Sequence, residues 1–86
     1  MTTDPHPIDV LVGKNLRRLR KQAGLSQAEL GARIGVSAQQ VQKYETARNR
    51  ISASKLWECA LANSVAIDAF FLADQVSPSG AALIHI

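Results

Sequence analysis

Only three residues, Gly35-Val36-Ser37, separate two stretches of this 86-residue chain that carry helical periodicity. That short turn limits the fold more than any other feature. In "SQAELGARI", Ser26 and Glu29 have the spacing of a capping box, in which each side chain satisfies a backbone donor of the helix start. Leu30 and Ile34 supply the buried face, and Gly35 closes the helix in a conformation that favours glycine. Ser37 opens the next helix at once, and "SAQQ" offers a second box with Gln40. Two short helices joined by so tight a glycine turn cannot lie antiparallel and must cross steeply.

Helical periodicity also dominates the rest, with no convincing strand before the last few residues. A first helix is expected from about Asp9 to Ala23, with Val12, Leu16, Leu19 and Ala23 forming one apolar stripe and Gly24 ending it. Arg17, Arg18 and Lys21 point elsewhere. "TARNR" reads as a polar, basic loop. Ser52 caps a fourth helix to about Ala62, with Leu56, Cys59 and Ala60 inward. A short fifth helix, Ile67 to Ala73, would place Phe70 and Phe71 at the end of the core. "DQVSPSG" reads as a linker before the apolar "AALIHI". The expected fold class is all-α: a compact five-helix bundle containing a helix-turn-helix, with a short apolar C-terminal tail. The expected boundaries are a flexible segment at 1–8, the bundle at 9–73 and the tail at 74–86. The tail could pair with its twin as a strand, pack as an arm or remain disordered; a partner contact is favoured because apolar ends seldom stay wet.

Several function classes are excluded. No apolar run approaches the roughly 20 residues that span a bilayer. "MTTDPHPID" has neither the basic start nor the apolar stretch of a signal peptide, so a cytoplasmic address is expected. Cys59 is the only cysteine, which rules out an internal disulfide and a cysteine cluster for zinc. His6 and His85 stand alone near the two ends. There is no glycine-rich phosphate loop, no nucleophile with a partner base and no paired carboxylates, so neither catalysis nor a cofactor is expected. Charge is more informative. All ten Lys and Arg lie between Lys14 and Lys55; through residue 55 four acids oppose them, for a net +6, while the remainder carries three acids and neither Lys nor Arg. Such a basic region suits a polyanion.

The third helix, "SAQQVQKYE", carries three glutamines and a lysine. Val41 and Tyr44, at i and i+3, can hold it against the bundle. Ala38, Gln39, Gln42 and Lys43 project away, with Gln40 at the edge. A helix that reads DNA in the major groove needs this anatomy. The glutamine amide matches adenine N6 and N7, Lys43 can donate to guanine O6 or N7, and Ala38 is short enough to meet a thymine methyl group. The plainer alternative is a solvated face rich in glutamine.

The run "GKNLRRLRKQAGLSQAELGARIGVSAQQVQKYETARNRIS" resembles the phage repressor and Cro type of helix-turn-helix domain, the XRE-like family, over about residues 12 to 72. The resemblance implies roles. Gln27 would bind a phosphate and brace the recognition helix. Gln39 and Lys43 occupy base-reading positions, with Ala38 and Gln42 next in line. Gln40 and the loop residues Arg48, Asn49 and Arg50 would meet backbone phosphate; Arg17 would either do so or simply be solvated. Arg20 and Glu45 match a buried ion pair joining the first helix to the third. Gly31 departs from the family's alanine at the crossing of the second and third helices, which should cost about 1 kcal/mol. Asn63 replaces a core leucine. Trp57 and Leu61, at i and i+4, would form an apolar patch suited to a dimer interface; the alternative folds Trp57 back onto the core. The implied function is a sequence-specific regulator of transcription that binds double-stranded DNA, as a homodimeric repressor on a pseudo-palindromic operator. The alternative is an antitoxin or other interaction module of the same fold with a protein partner.

Overall fold

The computed structural model describes residues 4–73. The linker and the tail at 74–86, for which a partner contact is the favoured expectation, lie outside the described residues, as does His85. Four α-helices follow one another: α1 (Pro7–Gln22), α2 (Gln27–Ile34), α3 (Ala38–Glu45) and α4 (Ala53–Asn63). A 3-10 turn, Ile67–Phe71, completes the chain order, and no strand occurs among the described residues.

The start of α1 lies two residues ahead of the expected position. Pro7 suits the first turn, where a missing N–H costs nothing. The Nδ1 of His6 accepts from the backbone N–H of Ile8 at 3.0 Å and caps the helix. Residues 7 and 8, expected in a flexible segment, are therefore helical.

At α2 the capping box is complete. Ser26 Oγ accepts from the Glu29 N–H at 3.0 Å, and the Ser26 N–H donates to the Glu29 carboxylate at 2.8 Å. That backbone bond, with the Ser26 hydroxyl, holds the Glu29 carboxyl below its ordinary range. Gly35 ends α2 at φ 76° and ψ 31°, a left-handed conformation that glycine adopts without penalty. At α3 only half of the second box forms. Ser37 Oγ accepts from the Gln40 N–H at 3.0 Å, but the Gln40 side chain turns to the following loop, where its Oε1 accepts from Asn49 Nδ2 at 3.3 Å.

The crossing of α2 and α3 is closer than the sequence implies. A Cβ at Gly31 would stand 2.5 Å from the carbonyl oxygen of Val36, inside any real contact distance. The glycine is thus what this crossing requires, not a tolerated weakness. The core beneath it is formed by Leu16, Leu30, Val41, Cys59 and Phe70, all fully buried, with Leu25, Val36, Tyr44 and Ile51 packed around them. Each large apolar side chain so buried contributes roughly 1.5–3 kcal/mol relative to exposure.

The expected fifth α-helix is a correction. Only five residues turn, between extended backbone at Ala66 and Leu72, with no side-chain cap. So short a segment cannot offset the cost of an α-helical nucleus. The end of the turn is bound instead to α1: the buried Asn15 amide donates to Phe70 O at 2.8 Å and to the O of Leu72, just past the turn, at 2.7 Å. Neighbours on a 3-10 turn lie about 120° apart. Phe70 therefore fills the core while Phe71 is 46% exposed, against the expectation that both would be inside. Asn63, at the end of α4, is buried and donates to Cys59 O at 2.9 Å.

Candidate nucleic-acid interface

Helix α3 is held on one side and open on the other. Val41 is fully buried and Tyr44 packs partly against the core. With two anchors one turn apart, the outward face is set. Gln39, Gln42 and Lys43 are exposed there, and Ala38 is half-buried at the first position. Among the described residues none of these three exposed side chains has a hydrogen-bond partner, so their donors and acceptors face solvent.

A buried network fixes the far end of α3. Arg20 of α1 binds the Glu45 carboxylate through Nε at 2.6 Å and Nη2 at 3.2 Å, while its Nη1 donates to Leu25 O at 2.8 Å. Both side chains are almost fully buried, and the paired geometry offsets much of their desolvation. Gln27, first residue of α2, donates from Nε2 to Glu45 at 3.1 Å. One carboxylate thus ties α1, α2 and α3 together.

The loop after α3 is built from the helix's own last carbonyls. The N–H groups of Arg48 and Asn49 both donate to Lys43 O, at 2.9 and 3.2 Å, and the Thr46 hydroxyl donates to Gln42 O at 2.9 Å. Ala47 is forced to φ 59°, a left-handed conformation unfavourable for a residue with a Cβ. This winding exposes Arg48, Asn49 and Arg50 beside α3. Arg50 Nε pairs with Asp9 of α1 at 2.9 Å, although its side chain stays 74% exposed. Arg17 is exposed on α1.

Away from this face, Trp57 and Leu61 project from α4, 56% and 64% exposed. Trp57 does not fold back onto the core. Lys55 bonds to Ile34 O at 2.7 Å and pairs with Glu58 at 2.9 Å, which joins α4 to the end of α2. Among the described residues no group of three or more His, Cys, Asp or Glu could hold a metal ion, and no helix is long and apolar enough to cross a membrane. Cys59 is buried, and burial pushes its thiol up to about 12.

Several site features escape sequence reading. Asp9 as the partner of Arg50 and Asn49 as the partner of Gln40 depend on how the loop winds, which no local pattern encodes. Asn15 did leave a signal: it falls between Val12 and Leu19 at spacings of three and four, on the apolar stripe itself.

The description "Helix-turn-helix" belongs to the family profile that matches residues 16–70. An uncharacterized transcriptional regulator in the ATPase CF(0) region of Rhodospirillum rubrum is 53% identical over 66 residues, 77% of this chain and 61% of that protein. An uncharacterized HTH-type transcriptional regulator of Sinorhizobium medicae (strain WSM419) is 42% identical over 67 residues, 78% of this chain and 48% of its own length. The chain thus spans about half to three-fifths of these relatives. Among solved structures, the restriction-modification controller protein C.AhdI from Aeromonas hydrophila superposes with a TM-score of 0.72 at 27% identity, covering 77% of this chain and 100% of that one.

Proposed function

This chain belongs to the helix-turn-helix family, and from that membership we propose that it binds double-stranded DNA in a sequence-specific way and represses transcription as a homodimer. The observation that carries this reading is the two-sidedness of α3: Val41 is locked inside, while Gln39, Gln42 and Lys43 are free to meet base edges. Glutamine offers adenine a matched donor and acceptor, and lysine offers guanine a donor. Ala38 would approach a thymine methyl group. Gln27, Gln40, Arg48, Asn49 and Arg50 supply the phosphate contacts that set the register, with Arg17 beyond them. Arg20 and Glu45 are structural and hold α3 at its angle. A DNA partner supports the expected cytoplasmic address, and the expected binding domain at 9–73 gains Pro7 and Ile8, which belong to α1.

One domain reaches few base pairs, so useful specificity calls for two. The Trp57 and Leu61 patch supports a symmetric contact between copies. A dimer would read a pseudo-palindrome with half-sites about 34–36 Å apart. Trp57→Ala should weaken self-association and cooperative binding; a folded variant with unchanged DNA affinity and stoichiometry would contradict the dimer. The alternative reading, an antitoxin or other interaction module of the same fold, assigns a protein partner to the tail at 74–86, outside the described residues.

Selection of bound duplexes from a random pool, at fixed near-physiological salt, tests the whole reading. A two-fold symmetric motif is expected. Recovery of sequence-independent binding alone, or of none, would overturn it in favour of a protein partner.

A further inference from the structure

Helices α2, α3 and α4 open on the serines Ser26, Ser37 and Ser52, whose hydroxyls accept from the backbone of the first turn. Helix α1 opens on a histidine. The Nδ1 of His6 accepts from the backbone N–H of Ile8 at 3.0 Å. A ring nitrogen accepts only while it carries no proton, so this bond requires the neutral imidazole with its hydrogen on Nε2. A serine cap carries no such condition. Imidazole is also the side chain whose charge ordinarily changes between about pH 5 and 8.

Three residues beyond His6 stands Asp9. In a capping box an acid at this position folds back to the cap residue, as Glu29 does towards Ser26 at α2. Asp9 is engaged elsewhere: its Oδ2 accepts from Arg50 Nε at 2.9 Å, across forty-one positions of the chain. One ion pair therefore ties the first turn of α1 to the basic loop, beside a cap that titrates. Protonation of His6 acts on that pair twice. The bond to Ile8 is lost, because both ring nitrogens then carry hydrogen. A positive charge also appears at the helix start, where the macrodipole disfavours it and an acid offsets it. Asp4 precedes His6, and Asp9 has the position that reaches back to a cap. On the elements packed against α1 the other charges are placed elsewhere. Glu45 of α3 is held by Arg20 in the last turn of α1, and Lys43 lies on the outward face of α3. Lys55 and Glu58 of α4 pair with each other, and Asp68 is exposed on the 3-10 turn.

Resting on the DNA-binding reading above, we propose that His6 and Asp9 form a proton-operated latch on Arg50. With His6 neutral the latch is closed, and Asp9 holds Arg50. With His6 protonated, Asp9 turns to the charged cap and Arg50 is released, so the loop gains one cation for phosphate. Affinity for DNA then rises as pH falls, through a residue that itself need not touch DNA.

The test compares the intact chain with His6→Asn, a favoured cap that does not titrate, and with Asp9→Asn, which lacks the carboxylate. Affinity for a random-sequence duplex is measured at low, fixed salt from about pH 8 down to about 5.5, across the imidazole range. The Arg50 Nε–H resonance of the free chain is followed over the same range. The intact chain should gain about two- to five-fold in affinity as pH falls, the worth of one exposed pair. His6→Asn should stay flat at the lower affinity, and Asp9→Asn flat at the higher. The Arg50 resonance should move with the His6 ring in the intact chain and stand still in His6→Asn. Equal pH profiles for the intact chain and His6→Asn would overturn the latch. A gain that persists in Asp9→Asn would also overturn it, by showing that the charged ring meets phosphate itself. An Arg50 resonance that ignores His6 in a chain that binds duplex would overturn the latch alone. One that follows His6 in a chain that binds no duplex at any pH would overturn the DNA-binding reading, and with it the release onto phosphate.

Discussion

Gly13 of α1 lies so close to Tyr44 of α3 that a Cβ at residue 13 would stand 2.5 Å from the Tyr44 carbonyl oxygen. The Glu45 carbonyl, at 2.8 Å, closes the same gap. Backbone atoms cannot swing aside as a side-chain tip can, so α1 and α3 would have to part. Gly13→Ala should therefore destabilise the fold by about 1–3 kcal/mol, despite the better helix propensity of alanine. Gly31→Ala should behave alike, because the Val36 carbonyl blocks its Cβ. Urea denaturation decides the sign for each; a gain near 1 kcal/mol would show that the crossings can open freely.

The carboxylate of Glu45 serves three helices at once. Glu45→Gln should leave the buried Arg20 guanidinium without its counter-charge, at a cost of about 3–5 kcal/mol. Replacing both partners by leucine should recover much of that loss, since no buried charge remains. A double variant no more stable than Glu45→Gln would mean that the pair's specific hydrogen bonds, to Leu25 and Gln27 as well, matter more than its charges.

Much of this arrangement can be read from local chemistry. Ser26 with Glu29, Gly35 and Ser37 are signals that act within four residues, so the boundaries of α2 and α3 follow from them. The stripes of Val12, Leu16 and Leu19, and of Leu56, Cys59 and Ala60, are equally local. What escapes is set at long range. Gly13 looks like a flaw in a helix until Tyr44, thirty-one positions on, is placed against it. The last turn resembles a helix in "IDAFF" because its apolar residues fit; its end is tied down by Asn15, which binds the Phe70 carbonyl and that of Leu72 just beyond it, fifty-five and fifty-seven residues away. Gln40 satisfies the spacing of a capping box and yet bonds to Asn49.

Cys59 links the core to pH. Burial raises its thiol from an ordinary 9.0 to about 12, so the folded chain keeps the proton over a range in which the unfolded chain releases it. The unfolded state then binds fewer protons, and stability falls as pH rises from about 9 towards 12. Below pH 9 the contribution is fully present. Cys59→Ala should flatten this alkaline decline in unfolding midpoints. The native thiol should also resist alkylating reagents until denaturant is added; rapid labelling of the native chain would contradict its burial.

Arg50 can serve Asp9 or a phosphate. Their pair is largely exposed on the arginine side and contributes about 0–1 kcal/mol, so Asp9→Asn should barely alter stability. It should, however, remove a competing anion and raise affinity for duplexes of any sequence by about two- to five-fold at low salt. Filter binding on operator and random DNA measures this. Weaker binding would show that Asp9 instead holds Arg50 in the pose that meets the backbone.

Base reading by the outward face of α3 is tested most directly by pairing Gln39→Ala with a panel of single-base-pair changes in the selected operator. The affinity of each chain for each duplex is measured at one salt concentration. Gln39→Ala should lose preference at a single position of each half-site, by about 1–3 kcal/mol, and keep it elsewhere. Arg48→Ala should weaken every duplex alike. A Gln39→Ala variant that lost affinity evenly across the panel, or kept every preference, would contradict base reading by this helix.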